Sequence, residues 1–266
     1  MNVLAEIVAS TREQVAARRQ QRPAAELARA AAKRASRGDR RSFAGALAAP
    51  GLSLIAEHKR SSPSAGTIRA DARLTDVVLA YERAGAAAVS VLTEETRFGG
   101  QLADLQEARD AVALPILRKD FIVEDYQVHE ALAAGADAVL LIVAALAPDD
   151  LAELHQLAGK LELDVLVEVH DAGELAVALE LKAPIIGINN RDLSTLGVDT
   201  SRTFELRRRI PDEVLVVAES GFSRRSELED LHRAGVKAVL VGEALMRAED
   251  IETATRELTG VGSTMS

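Results

Sequence analysis

The hydrophobic pattern changes character near residue 52. Before it, Val3, Leu4, Ile7, Val8 and Val15 recur at helical spacing. Pro23 suits the first turn of a second helix. Gly38-Asp39 breaks this helical stretch and Pro50-Gly51 closes it. Residues 1–50 therefore read as a helical extension packed on a core. Arg12, Arg18, Arg19 and Arg22 concentrate there, which leaves open a second reading as a partner-binding arm.

From Leu52 onward, short apolar segments alternate with longer amphipathic ones. The short segments are Leu52–Ala56, Ala88–Leu92, Pro115–Leu117, Ala138–Val143, Val165–Val169, Ile185–Ile188, Val214–Ala218 and Ala238–Val241. Near-continuous apolarity is what strands covered on both faces require, as in a parallel sheet. A weak repeat supports this: Ala84-Gly85, Ala134-Gly135 and Ala234-Gly235 each precede a strand in the same frame. Their spacing fits βα units of about 25 residues, eight of which close a barrel. The expected fold is α/β, a (β/α)8 TIM barrel over residues 51–260 with an N-terminal helical extension. Residues 261–266 are expected to form a flexible C-terminal tail. An open doubly wound sheet is the rival, but it needs a strand-order switch that the pattern does not show.

Composition narrows the function. The 266 residues carry a formal net charge of -9, which disfavours a broad nucleic-acid surface. Only 3% of them are aromatic, too few for a base-stacking platform. There is no cysteine, so disulfides, thiolate nucleophiles and zinc-thiolate sites are excluded. The five histidines lack metal-ligand spacing, and no metal site is expected. The longest apolar run, Ala138 to Ala147, falls far short of the roughly 20 residues that span a bilayer. The first residues lack the apolar core of a secretory signal. A cytoplasmic protein with no membrane association is expected.

Candidate chemistry lies where the strands end, since a barrel of this kind carries its site there. Glu57 and Lys59 share one face of the first strand, whereas His58 takes the other and reads as packing. Lys119 ends the third strand. Lys59 and Lys119 are two of only six lysines in an arginine-rich chain. A lysine in a charged, desolvated pocket can be tuned to exchange a proton, which suggests acid–base or Schiff-base work. Glu168 interrupts the fifth strand, which is costly unless the carboxylate is paired or functional. Asn189 and Arg191 follow the sixth, and Glu219 ends the seventh.

Ser220-Gly221 and Gly242-Glu243 follow the last two strands, where barrels commonly bind phosphate. A glycine beside a helix N-terminus is expected at both, offering free N–H groups. The Glu243 carboxylate is expected to point away. Arg207, Arg208 and Arg209 read as a solvated face near a helix C-terminus.

These strand ends, in this order, resemble the indole-3-glycerol-phosphate synthase family of tryptophan biosynthesis. The matching stretches are Ile55–Ser64, Leu92–Glu95 followed by Phe98, Ile116–Ile122, Val167–His170, Gly187–Leu193, Ala218–Gly221 and Val241–Arg247. They cover nearly the whole chain, and the helical extension also resembles the family. Gly99-Gly100-Gln101 departs from the family's usual Gly-Ser, and His58 occupies a position where the family varies. The resemblance implies a lyase that needs no cofactor. Its substrate would be 1-(2-carboxyphenylamino)-1-deoxyribulose 5-phosphate, closed to indole-3-glycerol phosphate with loss of CO2 and water. By the same resemblance Lys119 is the general acid and Glu168 the general base. Lys59 holds the anthranilate carboxylate, while Glu57, Asn189 and Glu219 orient the lysines and the sugar. Ser62 and Arg191 lie near the substrate, Phe98 and Phe121 wall its ring, and Ser220, Gly221, Gly242 and Glu243 hold its phosphate.

The only partner implied is this phosphosugar–anthranilate substrate. A monomer is expected, with a dimer open, and the chain is expected to be monofunctional. Two other readings remain: a Schiff-base phosphosugar aldolase using Lys119 as nucleophile, and a non-catalytic phosphate-binding barrel.

Overall fold

Eight parallel strands pair in chain order and close on themselves. They are β1 (Ser53–His58), β2 (Ala88–Leu92), β3 (Ile116–Lys119), β4 (Ala138–Ile142), β5 (Asp164–Val169), β6 (Ile185–Asn189), β7 (Leu215–Glu219) and β8 (Ala238–Val241). The last step joins β8 to β1 through Ala56 and Val241. Helices lie between successive strands, giving a (β/α)8 barrel. The computed structural model describes residues 3–192 and 195–260, so the expected tail 261–266 lies outside the described residues. Gly85, Gly135 and Gly235, the repeated glycines, all take positive φ (83°, 96° and 82°) at the turn from helix to strand.

Several strands run further than their apolar pattern predicts. The stretch predicted as Leu52–Ala56 is observed as Ser53–His58, and Pro115–Leu117 becomes Ile116–Lys119. The extra residues are polar. Glu57 and Lys119 point into the barrel mouth, whereas His58 and Arg118 are buried on the other face of the strands, Arg118 against Asp120 and Glu130.

Side-chain alternation arranges the interior in layers. Ile55, Leu117, Leu166 and Val217 come from the odd-numbered strands and form an apolar layer. Two residues further along the same strands stand Glu57, Lys119, Glu168 and Glu219. One interior layer thus switches from hydrocarbon to charge within a single residue pair. Between the two layers lie Ser90, Leu140, Gly187 and Leu240 of the even-numbered strands.

Three helices precede the barrel: α1 (Val3–Gln21), α2 (Ala24–Ala35) and α3 (Phe43–Leu47). Pro23 is the N-cap of α2, one residue before its expected place. Phe43 and Leu47 of α3 pack with the lower barrel residues Ala88, Ala138 and Ala238. Arg41 ties the approach to α3 to the barrel floor, donating from its backbone N–H to Asp137 Oδ1 (2.9 Å) and from its side chain to Leu114 O (2.8 Å).

The arginines of α1 are used within the chain. Arg18 pairs with Glu130 at 2.8 Å and Arg19 with Asp125 at 2.6 Å, both on the helix Asp125–Ala133. Arg12 lies 3.8 Å from Glu124, and Arg22 pairs with Glu26 within the extension. The Tyr126 hydroxyl donates to the carbonyls of Arg18 and Arg22. The arrangement is that of a packed extension, not a free arm. Arg207 departs from the solvated reading: it donates to the carbonyls of Gly235 and Ile210, while Arg208 and Arg209 are exposed.

Candidate active site

A cavity of about 460 Å³ opens at the C-terminal ends of the strands. Every site residue singled out from the sequence lines it. Glu57, Lys119, Glu168, Asn189 and Glu219 reach it from the strands themselves. Lys59, Ser62, Phe98, Phe121 and Arg191 reach it from the loops that follow, and Ser220, Gly221, Gly242 and Glu243 close the far side.

The charged groups form a connected set. Lys119 Nζ lies 2.9 Å from Glu168 Oε2 and 3.4 Å from Glu219 Oε2. Lys59 Nζ lies 3.0 Å from Glu57 Oε1. Asn189 Nδ2 donates to Glu168 Oε1 (3.1 Å), and Asn189 Oδ1 accepts from the Arg191 N–H (3.0 Å). Both ends of the Asn189 amide are therefore engaged, which fixes its orientation. Burial alone would lower the Lys119 ammonium. The carboxylates of Glu168, Glu219 and Glu57 outweigh it and raise the group above the ordinary lysine range. The surrounding carboxylates thus hold Lys119 protonated near neutrality. Its side chain is still 14% exposed toward the cavity, so a substrate can reach it.

The two glutamates beside it divide. Burial would raise Glu168, but Lys119 and His170 hold it well below the usual carboxylate range. Burial and the neighbouring Glu168 charge push Glu219 up to about 8, against the pull of Lys119. Near neutrality the site thus pairs an ionised carboxylate with a protonated one. Two like charges this close to one ammonium do not both ionise easily.

Local structure positions the aromatic residues. The buried Glu94 side chain accepts three backbone N–H groups, of Thr96, Arg97 and Phe98, and so caps the short helix Glu95–Phe98. Gln127 donates to Phe121 O (2.9 Å) and accepts from Val123 N (2.8 Å), which holds the loop after β3. The Phe98 and Phe121 rings stand 6.5 Å apart between centroids. After β1, Ser61–Ser62 pairs with Gly66–Thr67 in a small antiparallel hairpin, anchored through Arg60 on Asp104.

The last two loops differ from each other. Gly242 is the N-cap of the helix Glu243–Arg247, as expected. Ser220-Gly221 does not adjoin a helix, because the next one begins at Arg225. Both residues take positive φ instead (63° and 90°). Asn190 stabilises that turn by donating to Ser220 O (2.9 Å) while accepting from Thr203. The Glu243 carboxylate accepts from Arg247 Nε at 3.1 Å, so its charge is engaged by its own helix.

Other residues that the sequence did not single out for the site also line the cavity. Val3, Leu4 and Ile7 of α1 join Leu140, Ile142 and Phe121 to make one side of the cavity apolar. Arg247 and Ser223 line it near Gly242 and Gly221. The helical spacing of Leu4 and Ile7 announces a buried face but not what covers it.

The closed barrel, with a layer of ionisable side chains lining the cavity at the C-terminal ends of its strands, is a protein of the (β/α)8 class. Residues 4–258 match the family model described as indole-3-glycerol phosphate synthase. Curated relatives of that name include one from Dehalococcoides mccartyi, 52% identical over 77% of this chain and 80% of the relative. Another, from Leptothrix cholodnii, is 45% identical over 94% of this chain and 95% of its own. The chain belongs to the indole-3-glycerol phosphate synthase family, whose enzymes are carboxy-lyases catalysing a decarboxylative ring closure. Among solved structures, a chain of the Pyrococcus furiosus tryptophan synthase complex aligns with a TM-score of 0.60 at 18% identity, over 78% of this chain and 98% of that one. That likeness concerns the fold alone.

Proposed function

We propose that the protein converts 1-(2-carboxyphenylamino)-1-deoxyribulose 5-phosphate to indole-3-glycerol phosphate, CO2 and water, with Lys119 as general acid and Glu168 as general base. The observation that carries this division of labour is the Lys119–Glu168 contact of 2.9 Å, with the lysine raised and the glutamate lowered.

In the first step the ring carbon bearing the carboxylate attacks the ribulose carbonyl carbon. The carbonyl oxygen gains charge and takes a proton from the Lys119 ammonium. The new carbon–carbon bond interrupts the aromatic ring. Loss of CO2 returns the electron pair of the broken bond to the ring. In the last step the new hydroxyl leaves as water, which requires one proton delivered to that oxygen and one removed from the substrate. Glu168, ionised and in contact with the cavity, takes the second.

Lys59 holds the substrate carboxylate, and Glu57 orients Lys59 across 3.0 Å. Asn189 and Glu219 flank the Glu168–Lys119 pair and orient the sugar hydroxyls. Phe98 and Phe121, with the apolar wall from α1, receive the aromatic ring. The Ser220-Gly221 turn and the start of the helix at Glu243 offer backbone N–H groups to the phosphate, with Arg191 and Ser62 near the sugar end. A Schiff-base role fits Lys119 poorly, since an attacking amine must be neutral.

A monomer is proposed as the working unit; light scattering on the purified protein tests that. No described helix is long and apolar enough to cross a membrane, and a cytoplasmic biosynthetic role is the matching proposal. The test of the roles is steady-state turnover of Lys119→Met and Glu168→Gln. Each is expected to lose roughly 100-fold or more while keeping the wild-type circular dichroism. Near-normal turnover in either variant contradicts its assignment.

A further inference from the structure

The stretch following Glu168 contains a buried histidine that the reaction scheme above does not use. His170 lies just past β5, with its side chain 10% exposed, and it is not part of the cavity lining. Its backbone N–H donates to Glu174 Oε2 (2.8 Å), and its ring Nδ1 meets the same oxygen at 3.0 Å. Glu174 belongs to the first turn of the helix Ala172–Glu180, capped by Asp171. The ring is therefore gripped from one side by a carboxylate that is itself built into a helix start. Its other nitrogen, Nε2, stands 3.3 Å from Glu168 Oε1, too oblique for a hydrogen bond but close enough for a strong charge interaction.

We propose that His170, held by Glu174, is a positioning residue that fixes the Glu168 carboxylate and keeps it ionised during turnover. The proposal rests on the reading of Lys119 as acid and Glu168 as base. In that reading Lys119 gives up its proton to substrate, and the ammonium facing Glu168 becomes a neutral amine. Glu168 makes ion pairs with Lys119 and His170. When the first loses its charge, the second is the cation that remains against the carboxylate. Burial would lower the imidazole, but Glu168 and Glu174 together raise it to about 10, so it is charged near neutrality.

The other groups around the pair do not replace it. Glu219 from β7, protonated near neutrality, offers Glu168 no positive charge, and Glu57 from β1 acts on Lys119. Asn189 from β6 shares Glu168 Oε1 but carries no charge. The turn Val143–Ala145, which packs against both β5 and the helix Ala172–Glu180, contributes no titratable side chain. His170 does not line the cavity, so it acts through Glu168 and not on the substrate.

The test is the pH profile of kcat for the full-length protein and for His170→Gln, His170→Lys and Glu168→Gln. Removing the imidazolium should move the acid limb of kcat upward by about one pH unit or more, the usual effect of an opposite charge within ~4–6 Å. It should also cost roughly tenfold in kcat, with KM within about twofold. His170→Lys, which keeps a cation, should move the limb back toward wild type. A purely structural role would lower the melting temperature of both variants and leave the limb in place; that result overturns the proposal. Should His170→Gln fail to fold, the wild-type imidazole 15N shifts decide. A ring protonated through pH 8 supports the proposal, and a neutral ring at pH 7 overturns it. Glu168→Gln separates the two levels. If it retains turnover, the underlying assignment of Glu168 fails. If it is inactive while His170→Gln keeps the wild-type profile, only the positioning role fails.

Discussion

Gly187 and Glu219 occupy complementary space: a Cβ on Gly187 would lie 2.2 Å from Glu219 Oε1 and 3.2 Å from Leu166 Cδ1. The missing side chain in one interior layer is what admits the carboxylate of the next. Gly242 stands in the same relation to Glu57, where a Cβ would meet Oε1 at 2.4 Å. Two glutamates of the charged layer thus owe their place to glycines, one on β6 and one just past the end of β8.

Gly187→Ala should therefore displace Glu219 from Lys119. We expect a loss of about 1–3 kcal/mol in urea unfolding, the range for overpacking a full core. In a Glu219→Ala background the same substitution should cost less, with a coupling of at least about 0.5–1 kcal/mol in a double-mutant cycle. Strict additivity would contradict the steric account.

Glu219 also predicts a pH dependence of stability. Its carboxyl is raised to about 8 in the folded protein, from an ordinary 4.5. Between those values the folded state binds a proton that the unfolded chain has released. The contribution to stability is thus full below 4.5 and is lost as pH rises toward 8. Glu219→Gln, which does not titrate, should gain stability relative to wild type as pH is raised across that window. Urea midpoints at pH 5 and pH 8.5 measure it. A constant difference would show that the folded carboxyl titrates normally.

Behind the charged layer lies a second buried ionic cluster. Arg118, among the largest fully buried side chains, reaches Asp120 at 2.8 Å and Glu130 at 3.4 Å and donates to Gln127 O at 2.7 Å. Asp120 in turn accepts from Thr93 Oγ1 (2.6 Å) and from the Phe121 N–H (2.8 Å). Arg118→Met leaves the buried Asp120 without a cation, while Glu130 keeps Arg18, and should cost about 3–5 kcal/mol. Equilibrium urea unfolding checks this; a change below about 1 kcal/mol would mean the cluster is solvated or repaired.

The barrel was legible because its strands are covered on both faces and read as apolar runs, with the helix-to-strand glycines marking the period. The site was legible for the complementary reason. Glu57, Lys119, Glu168 and Glu219 break those runs at the end where a barrel keeps its chemistry. Parity along β1 separated Glu57 and Lys59 from His58, whose side chain is indeed buried away from the cavity.

What stayed hidden depends on distance between chain segments. Leu4 and Ile7 show a buried face, but their contact with Leu140 and Phe121 crosses more than a hundred residues of chain. Arg118 looks like an ordinary strand-end cation until Glu130 is folded against it. The direction of the Lys119 shift was hidden as well, because it depends on how many carboxylates surround the ammonium. The Ser220-Gly221 turn was misplaced at a helix start. Its backbone is shaped by Asn190, thirty positions earlier, through a hydrogen bond to Ser220 O.

The most direct test of the central claim is a product assay. Purified protein is mixed with 1-(2-carboxyphenylamino)-1-deoxyribulose 5-phosphate in chelator, without nucleotide, and indole fluorescence is followed. We predict a signal that scales with enzyme, with the product mass of indole-3-glycerol phosphate. Folded protein that binds the substrate and releases no such product would contradict the account.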